Sequence, residues 1–450
     1  MINSILKLRK NTFFVLSSII FSLINLRNIF YGNPIFDDYD SPAYFTFTLY
    51  PSARMQIMTI IYSTLVNETL IVIFQVVVSV FSFTYLAQKF LSIFDSKIVG
   101  NFAVLALYTL GLSSVVVEQN YKLLSESLNN SGLVLLFGAM LGYVKNMNFR
   151  NYKVVILAIL FLAGTKAVSS LSILIFFILF LVIMKFPTKN QKIFWAFTLT
   201  ALSVNIFFVL TATSTDFSKV YTTSSIINER LWKNPSWKSD AIESGFPLES
   251  RQIWVDFRQS NKGLPPDQAV INSTEFKIWW KQNGEEYLND FMRRNLDYTF
   301  IGPICLPCLD DEYSFRETIF SGWSQGTDDF RNARQIEELL SSRTFFWPER
   351  PEYAYFVVIL FLFTLVIYNF IIIIRPTAID KLHSKTITLF LFYITIYSYI
   401  SWLLGSKEND MARHQLNSAL GIRILSIYLI FLIVDRIVRK ISRFQLAHHS

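Results

Sequence analysis

The sequence predicts an all-α polytopic membrane protein with one mainly helical domain looped out between two membrane portions. Three observations predict it. The 450 residues are 52% hydrophobic and only 16% charged, whereas about a quarter of a soluble domain is charged. Apolar runs close to the roughly 20 residues that a bilayer-spanning helix needs recur along the chain. The loops between them alternate between Lys/Arg-rich and Lys/Arg-poor, as the two sides of a membrane require. Mean hydropathy is +0.38, and the 43 Phe and 21 Tyr suit lipid-facing and interfacial surfaces. The formal charge of +8 follows from topology and not from nucleic acid, because the cations stand in short loops and no nucleic-acid motif accompanies them.

Taken in order, the first apolar run, 12–30, follows Lys7, Arg9 and Lys10 and has no small-residue cleavage site after it, so it reads as a retained signal anchor. Further spans are expected at 69–87, 98–116, 127–144, 191–212, 352–374, 385–404 and 417–435. The run 153–185 is too long for one helix and is interrupted by Gly164-Thr165-Lys166, which predicts two shorter segments meeting in a turn. The total is about ten membrane segments, with both termini cytoplasmic. The cations agree with this path: Lys89, Lys97, Lys145, Arg150, Lys153, Lys185, Lys189, Lys192, Arg375, Lys381, Lys385, Arg436, Arg439, Lys440 and Arg443 all fall on the predicted inner side. The stretch 54–68 is helical in pattern but short, and reads as an amphipathic piece along the outer surface. Three domains follow: 1–212 as an N-terminal membrane domain with an acidic first outer loop, 213–351 as an extracytoplasmic domain, and 352–450 as C-terminal membrane helices with a cytoplasmic tail.

The extracytoplasmic stretch shows helical patterns at 226–232, at 265–296 with a break near Gly284, and at 328–340. Trp279 and Trp280, beside Lys277 and Lys281, suit either the headgroup level or a core pair. Cys305 and Cys308, in Cys-Leu-Pro-Cys, suit a local disulfide or two free thiols; two thiols with no nearby His do not make a structural zinc site.

The stretch 34–54, PIFDDYDSPAYFTFTLYPSAR, follows the first apolar segment and places Asp37, Asp38 and Asp40 among Tyr39, Tyr44, Phe45 and Phe47. Partial desolvation and like-charge neighbours tune such carboxylates into general bases; the plainer reading is a solvated loop in which Asp40 or Ser41 caps a helix. The topology sets these acids on the outer face with Arg54, Glu118, Lys122, Glu126, Lys166, Glu408, Asp410, Arg413 and His414. Ionisable groups at the ends of apolar helices are costly to place and tend to be functional, so they are expected to form one site. Each has a structural alternative. Glu126 opens a helix whose dipole favours an acid, Arg413 and His414 have Asp410 and Glu408 to pair with, and Lys166 can snorkel to the surface.

Several of these motifs together resemble the GT-C-type membrane glycosyltransferases, the group that includes protein O-mannosyltransferases and the lipid A aminoarabinose transferase. Asp40-Ser41-Pro42-Ala43-Tyr44-Phe45 resembles that group's first outer-loop acidic motif, Arg54 its next motif, and Leu124-Ser125-Glu126-Ser127-Leu128 its acidic entry to a later helix. Asn228-Glu229-Arg230, Gly245-Phe246-Pro247 and Asp410-Met411-Ala412-Arg413-His414 look like later loops of bacterial members. The pattern departs after Arg54, where Pro-Gly-Tyr-Pro is absent, and at Lys166, which stands where Arg-Pro is expected. The resemblance implies a GT-C-like helix bundle in a bacterial inner membrane. It also implies a polyprenyl-phosphate sugar donor entering from the lipid, and transfer with inversion at the outer face to a glycan, lipid or protein acceptor. In that scheme Asp40 is the general base with Asp38 and Asp37 beside it. Arg54, Lys166, Arg413 and His414 hold the donor phosphate, and Glu118, Lys122, Glu126 and Asp410 support them. Mg²⁺ or Mn²⁺ is compatible with such carboxylates.

Two other classes compete. An O-antigen polymerase or ligase also has many spans and a large outer loop, but relies on Arg and His in that loop. A polytopic transporter places polar residues at midplane in broken helices, usually in related halves; here the charges gather at one face, and the break at Gly164 alone points toward transport.

Overall fold

The computed structural model describes residues 2–31, 34–35, 44–45, 55–184, 186, 191–213, 216–260, 266–296, 360–370, 378–404 and 408–449. Among these residues the fold is almost wholly helical, with one isolated bridge and no strand. The helices are α1 (Ile2–Tyr31), α2 (Gln56–Leu65), α3 (Glu68–Ile93), α4 (Lys97–Gly111), α5 (Ser114–Gln119), α6 (Glu126–Lys145), α7 (Phe149–Ala163), α8 (Ala167–Ile183) and α9 (Gln191–Thr213). They continue with α10 (Asp216–Ser225), α11 (Pro235–Glu243), α12 (Leu248–Ser260), α13 (Pro266–Asn272), α14 (Thr274–Trp279) and α15 (Glu285–Arg294). After residues outside the description come α16 (Leu360–Phe370), α17 (Ala378–Leu404) and α18 (Glu408–His449).

Five of the described helices are long and apolar enough to cross a membrane: α3, α6, α9, α17 and α18. Stretches of α1, α4, α8 and α16 are apolar but shorter. Local chemistry sets the starts: Asn67 caps α3 by accepting from the Leu70 amide at 3.1 Å, and Asn148 caps α7 by accepting from the Asn151 amide at 2.9 Å. The helix expected over 98–116 ends instead at Gly111, and α5 starts separately. The Ser113 hydroxyl donates to the Leu110 carbonyl at 2.7 Å and its backbone is extended, so the side chain replaces the next helical hydrogen bond. The run 153–185 is two helices, α7 and α8, joined through Gly164, Thr165 and Lys166. A Cβ on Gly164 would lie 2.1 Å from Ile57 Cδ1, so glycine lets α2 rest on this turn.

Helix α6 is the axis of the bundle: 94% of its most apolar window is buried, against 28% for α9. Gly138 and Gly142, one turn apart, let it approach α3, with the Tyr85 ring and the Leu86 Cα taking the space of a side chain at Gly138. On its other side Phe137 meets Phe390 of α17 edge-on at 4.4 Å and Tyr428 of α18 at 5.4 Å. Exposed Val15, Ile19 and Leu23 on α1, Phe102 on α4, Val182 on α8 and Leu199 and Leu210 on α9 form an apolar outer surface suited to lipid tails.

The bundle has two distinct ends. At one, Arg439 pairs with Asp95 at 2.7 Å and Asp435 at 3.2 Å, Arg436 with Asp380 at 3.2 Å, and Lys145 donates to the Ser92 carbonyl. Here Lys89, Lys145, Arg150, Lys385 and the tail of α18 gather, all of them cations expected on the inner side. At the other end lie Ile35, the 111–126 connection, the Gly164 turn, the C-terminal end of α17 and the N-terminal end of α18.

The loop region 216–296 has its own core of Ile226, Ile227, Leu231, Trp237, Phe246, Trp254, Phe276, Trp279, Tyr287 and Phe291, which Trp402 from the end of α17 completes. Trp279 is therefore a core residue: its ring meets Phe246 at 5.1 Å and its indole N–H donates to the Ser244 carbonyl at 3.1 Å. The stretch 265–296 is divided at Ser273, which caps α14, as well as by a π-helical turn at Trp280–Gly284. Gly245, at φ 78°, makes the left-handed turn that follows α11. The pattern at 328–340, Cys305 and Cys308 lie outside the described residues.

Candidate functional site

The site is assembled from the 111–126 connection. Past α5 the chain turns at Tyr121, and Ile35 pairs with it there: the Ile35 amide donates to the Tyr121 carbonyl at 2.8 Å and the Leu123 amide donates back to the Ile35 carbonyl at 3.0 Å. On the far side of the acids, the Tyr44 and Phe45 rings pack on Tyr62 of α2 at 5.3 and 5.7 Å. The Tyr62 hydroxyl donates to the Leu124 carbonyl at 3.0 Å and accepts from the Gln75 amide at 2.6 Å. Residues 35 and 44, which bracket Asp37, Asp38 and Asp40, are thus both anchored to 121–124, the first through the backbone and the second through Tyr62. The three acids themselves and Arg54 lie outside the described residues.

Burial, reinforced by the Tyr44 phenol and the Glu126 carboxylate, raises the Tyr62 hydroxyl well above its ordinary range, against a smaller lowering from Gln75. Tyr62 is consequently a neutral hydrogen-bonding strut at any physiological pH.

The charged residues expected at this end fall into two buried pairs. Lys122 Nζ lies 2.6 Å from Glu118 Oε1, one helical turn away, with Glu118 1% exposed. Lys166 Nζ lies 2.9 Å from Glu126 Oε1, joining the first turn of α6 to the start of α8. Lys166 therefore does not snorkel: its side chain is 10% exposed, and a phosphate reaching it would compete with Glu126. The helices' first-turn geometry explains Glu126, since an acid at a helix start faces unpaired amides. Asp410, Arg413 and His414 lie on the first turns of α18, where the helical backbone is described. Arg413 precedes Asn417 by four residues, about 6 Å along the axis.

Sequence reasoning missed the polar hub beneath these pairs. Asn129 of α6 donates to the Tyr397 hydroxyl of α17 at 3.0 Å and accepts from Thr165 at 3.2 Å and Ser169 of α8 at 2.5 Å. Asn417 of α18 donates to the Asn129 carbonyl at 3.1 Å and accepts from the Tyr393 hydroxyl at 3.3 Å. The signal was present in the sequence: Asn129, Asn130 and Asn417 are amides inside or at the edge of apolar spans, where each needs a partner. Arg230, part of the Asn228-Glu229-Arg230 motif, has a role that the motif did not indicate. It is 1% exposed, donates to the Trp402 carbonyl, and stacks its guanidinium 5.0 Å from the Trp402 ring centre. The loop region is thereby fixed to the same end of the bundle. Arg251 supports it by donating to the Asn228 carbonyl at 2.6 Å.

Among the described residues no group of three or more His, Cys, Asp or Glu side chains stands close enough to hold a metal ion. Comparison with family models, with curated proteins and with solved structures finds no match to this chain. The functional reading therefore rests on the geometry and on the residues themselves.

Proposed function

We propose that the protein is a membrane glycosyltransferase of GT-C type that moves a sugar from a polyprenyl-phosphate donor to an acceptor at the outer face of a bacterial inner membrane. The observation that carries this reading is the bracketing of the acidic stretch: Ile35 and Tyr44 are both held to the segment that bears Lys122 and leads into Glu126. The acidic stretch is thus attached through the residues on either side of it to one segment of the bundle. The opposite end of the bundle gathers cations, which supports an outer location for the acids and a cytoplasmic end for α18.

The acceptor hydroxyl attacks the anomeric carbon from the face opposite the phosphate, the bond between that carbon and the phosphate oxygen breaks, and configuration inverts. Asp40 takes the hydroxyl proton, with Asp38 and Asp37 raising its basicity as like charges. Arg54, Arg413 and His414 receive the departing phosphate. Guanidinium offers two parallel donors and needs no adjustment of protonation. Lys166 joins them if the phosphate displaces Glu126, and Glu118, Lys122, Glu126 and Asp410 hold the surrounding charges in register. Mg²⁺ or Mn²⁺ would find its ligands among Asp37, Asp38 and Asp40, as carboxylate oxygens suit either ion.

The test is transfer from radiolabelled polyprenyl-phosphate sugars in proteoliposomes. Wild type should transfer at least one donor sugar, and Asp40→Asn should lower the rate about 10²- to 10⁴-fold. Unchanged transfer by Asp40→Asn refutes the assignment of the base. Cysteines placed at Ser41 and Asn409 should both label from outside; labelling of either from the cytoplasm alone removes the shared site.

A further inference from the structure

The loop region holds a cavity that the transfer chemistry does not use. It has a volume of about 530 Å³ and opens between the end of α11, the π-helical turn at Trp280–Gly284 and α15. That volume lies within the range of small-molecule sites. Its wall is built, not incidental. Asn283 Nδ2 and Trp279 Nε1 both donate to the Ser244 carbonyl at 3.1 Å, tying the turn to α11. Gly284 has no side chain because the Trp280 and Trp279 rings occupy that space, at 2.5 and 3.0 Å from where a Cβ would be. Trp280 lies parallel to Phe276, with ring centres 6.2 Å apart, so one face is given to the core while the residue lines the cavity.

The lining chemistry selects a ligand class. An indole and the edge of the buried Tyr287 offer apolar, π-rich surface. Gln282 and Asn283 offer amides, and Glu243, Glu286 and Asp290 offer carboxylates that accept pairs of hydroxyl protons. Of the lining charges, Arg294 is bound to Asp240 at 3.0 Å, Asp290 has Arg293 at 3.7 Å and Glu243 accepts from the Ser239 hydroxyl at 3.1 Å. That leaves Glu286 and Lys281 as the lining charges with no ion pair to a neighbouring side chain among the described residues, and the lining has more carboxylates than cations. Such a lining disfavours phosphate and uronate. A neutral or amino saccharide matches it, with C–H faces for Trp280 and adjacent hydroxyls for the carboxylates.

We infer that this cavity is a saccharide-binding site of the loop region, separate from the transfer centre. The experiment is saturation-transfer NMR on the full chain in nanodiscs with a panel of free neutral and amino disaccharides: cellobiose, maltose, N,N′-diacetylchitobiose and glucosamine-β-1,4-glucosamine. At least one should give saturable binding. Glu286→Gln, an exposed substitution that leaves the wall intact, should weaken it about tenfold, and Trp280→Ala should abolish it. No saturable signal from any of the four overturns the inference. So does binding indifferent to both substitutions, or a signal displaced by a short oligolysine peptide but not by excess unlabelled disaccharide. Asp40→Asn should bind the disaccharide as wild type does; a wild type that binds it but transfers none of the donor sugars discards the proposed reaction and leaves this site standing.

Discussion

Removing Lys166 should be among the most damaging single changes at the site end, and the structure gives the size of the effect. The side chains of Lys166 and Glu126 are 10% and 4% exposed, and their charged atoms are 2.9 Å apart. Lys166→Met removes the Lys166 charge 2.9 Å from the Glu126 carboxylate, which stays buried next to Tyr62 and Tyr397. Breaking a buried pair in this way costs about 3–5 kcal/mol. The double variant Lys166→Met/Glu126→Gln removes both charges, and a neutral amide is easier to bury than a carboxylate. Its loss should therefore fall short of the summed single losses by about 2 kcal/mol. Arg293 and Asp290 provide the internal control: they are 3.7 Å apart with side chains 81% and 50% exposed, so Arg293→Met should cost less than about 1 kcal/mol. The assay is unfolding in mixed micelles titrated with dodecyl sulfate, followed by circular dichroism, for all four variants beside wild type. A Lys166→Met loss no larger than that of Arg293→Met would refute the buried pair, and additive single losses would refute the coupling.

Three further substitutions probe what surrounds the pair. Asn129→Leu removes the Oδ1 that accepts from the Thr165 and Ser169 hydroxyls and the amide that donates to Tyr397, while the Asn417 bond to the backbone carbonyl of residue 129 stays, and should lower stability by about 1–3 kcal/mol in the same titration. Gly138→Leu drives a side chain into Tyr85 and Leu86 of α3; overpacking of this kind costs about 1–3 kcal/mol, and a smaller Gly138→Ala loss in the same assay should confirm that volume is the cause. Arg230→Met keeps the stem but removes the hydrogen bond and the cation over Trp402. It should speed hydrogen exchange at the end of α17 and through 224–231 while leaving exchange in α6 as it was.

Much of the bundle was legible because lipid leaves the backbone few choices. A long apolar run must be a helix, and the Gly164-Thr165-Lys166 interruption had to be a turn, since no single helix of that length fits a bilayer. The end of α4 was not legible, because whether Ser113 bonds to solvent or folds back on Leu110 depends on its surroundings and not on its type. Trp279 was ambiguous for a related reason: an indole suits both a membrane interface and a core, and the Ser244 carbonyl decides it. The pairing of Lys122 with Glu118 is a four-residue spacing that a local pattern can carry, whereas the partnership of Lys166 with Glu126 spans forty residues and no local pattern encodes it.

The three levels of the bundle are held by different chemistry, and the difference bears on the proposed transfer. At the cationic end, Arg439, Arg436 and Lys145 make ion pairs or carbonyl contacts through long side chains that tolerate small shifts of helix height. In the middle, Gly138, Phe137 and Gly421 fix how near the helices come, while packing of this kind resists sliding along the axis only weakly. At the site end the short side chains of Asn129, Thr165, Ser169 and Asn417 bond across α6, α8, α17 and α18. In apolar surroundings each lost bond exposes an unpaired polar group, so the relative heights of these helices are set to within hydrogen-bond tolerance. A reaction that must bring an acid, an acceptor oxygen and a phosphate into line needs positioning of about 0.5 Å. The level at the site end ties four elements together through such short bonds.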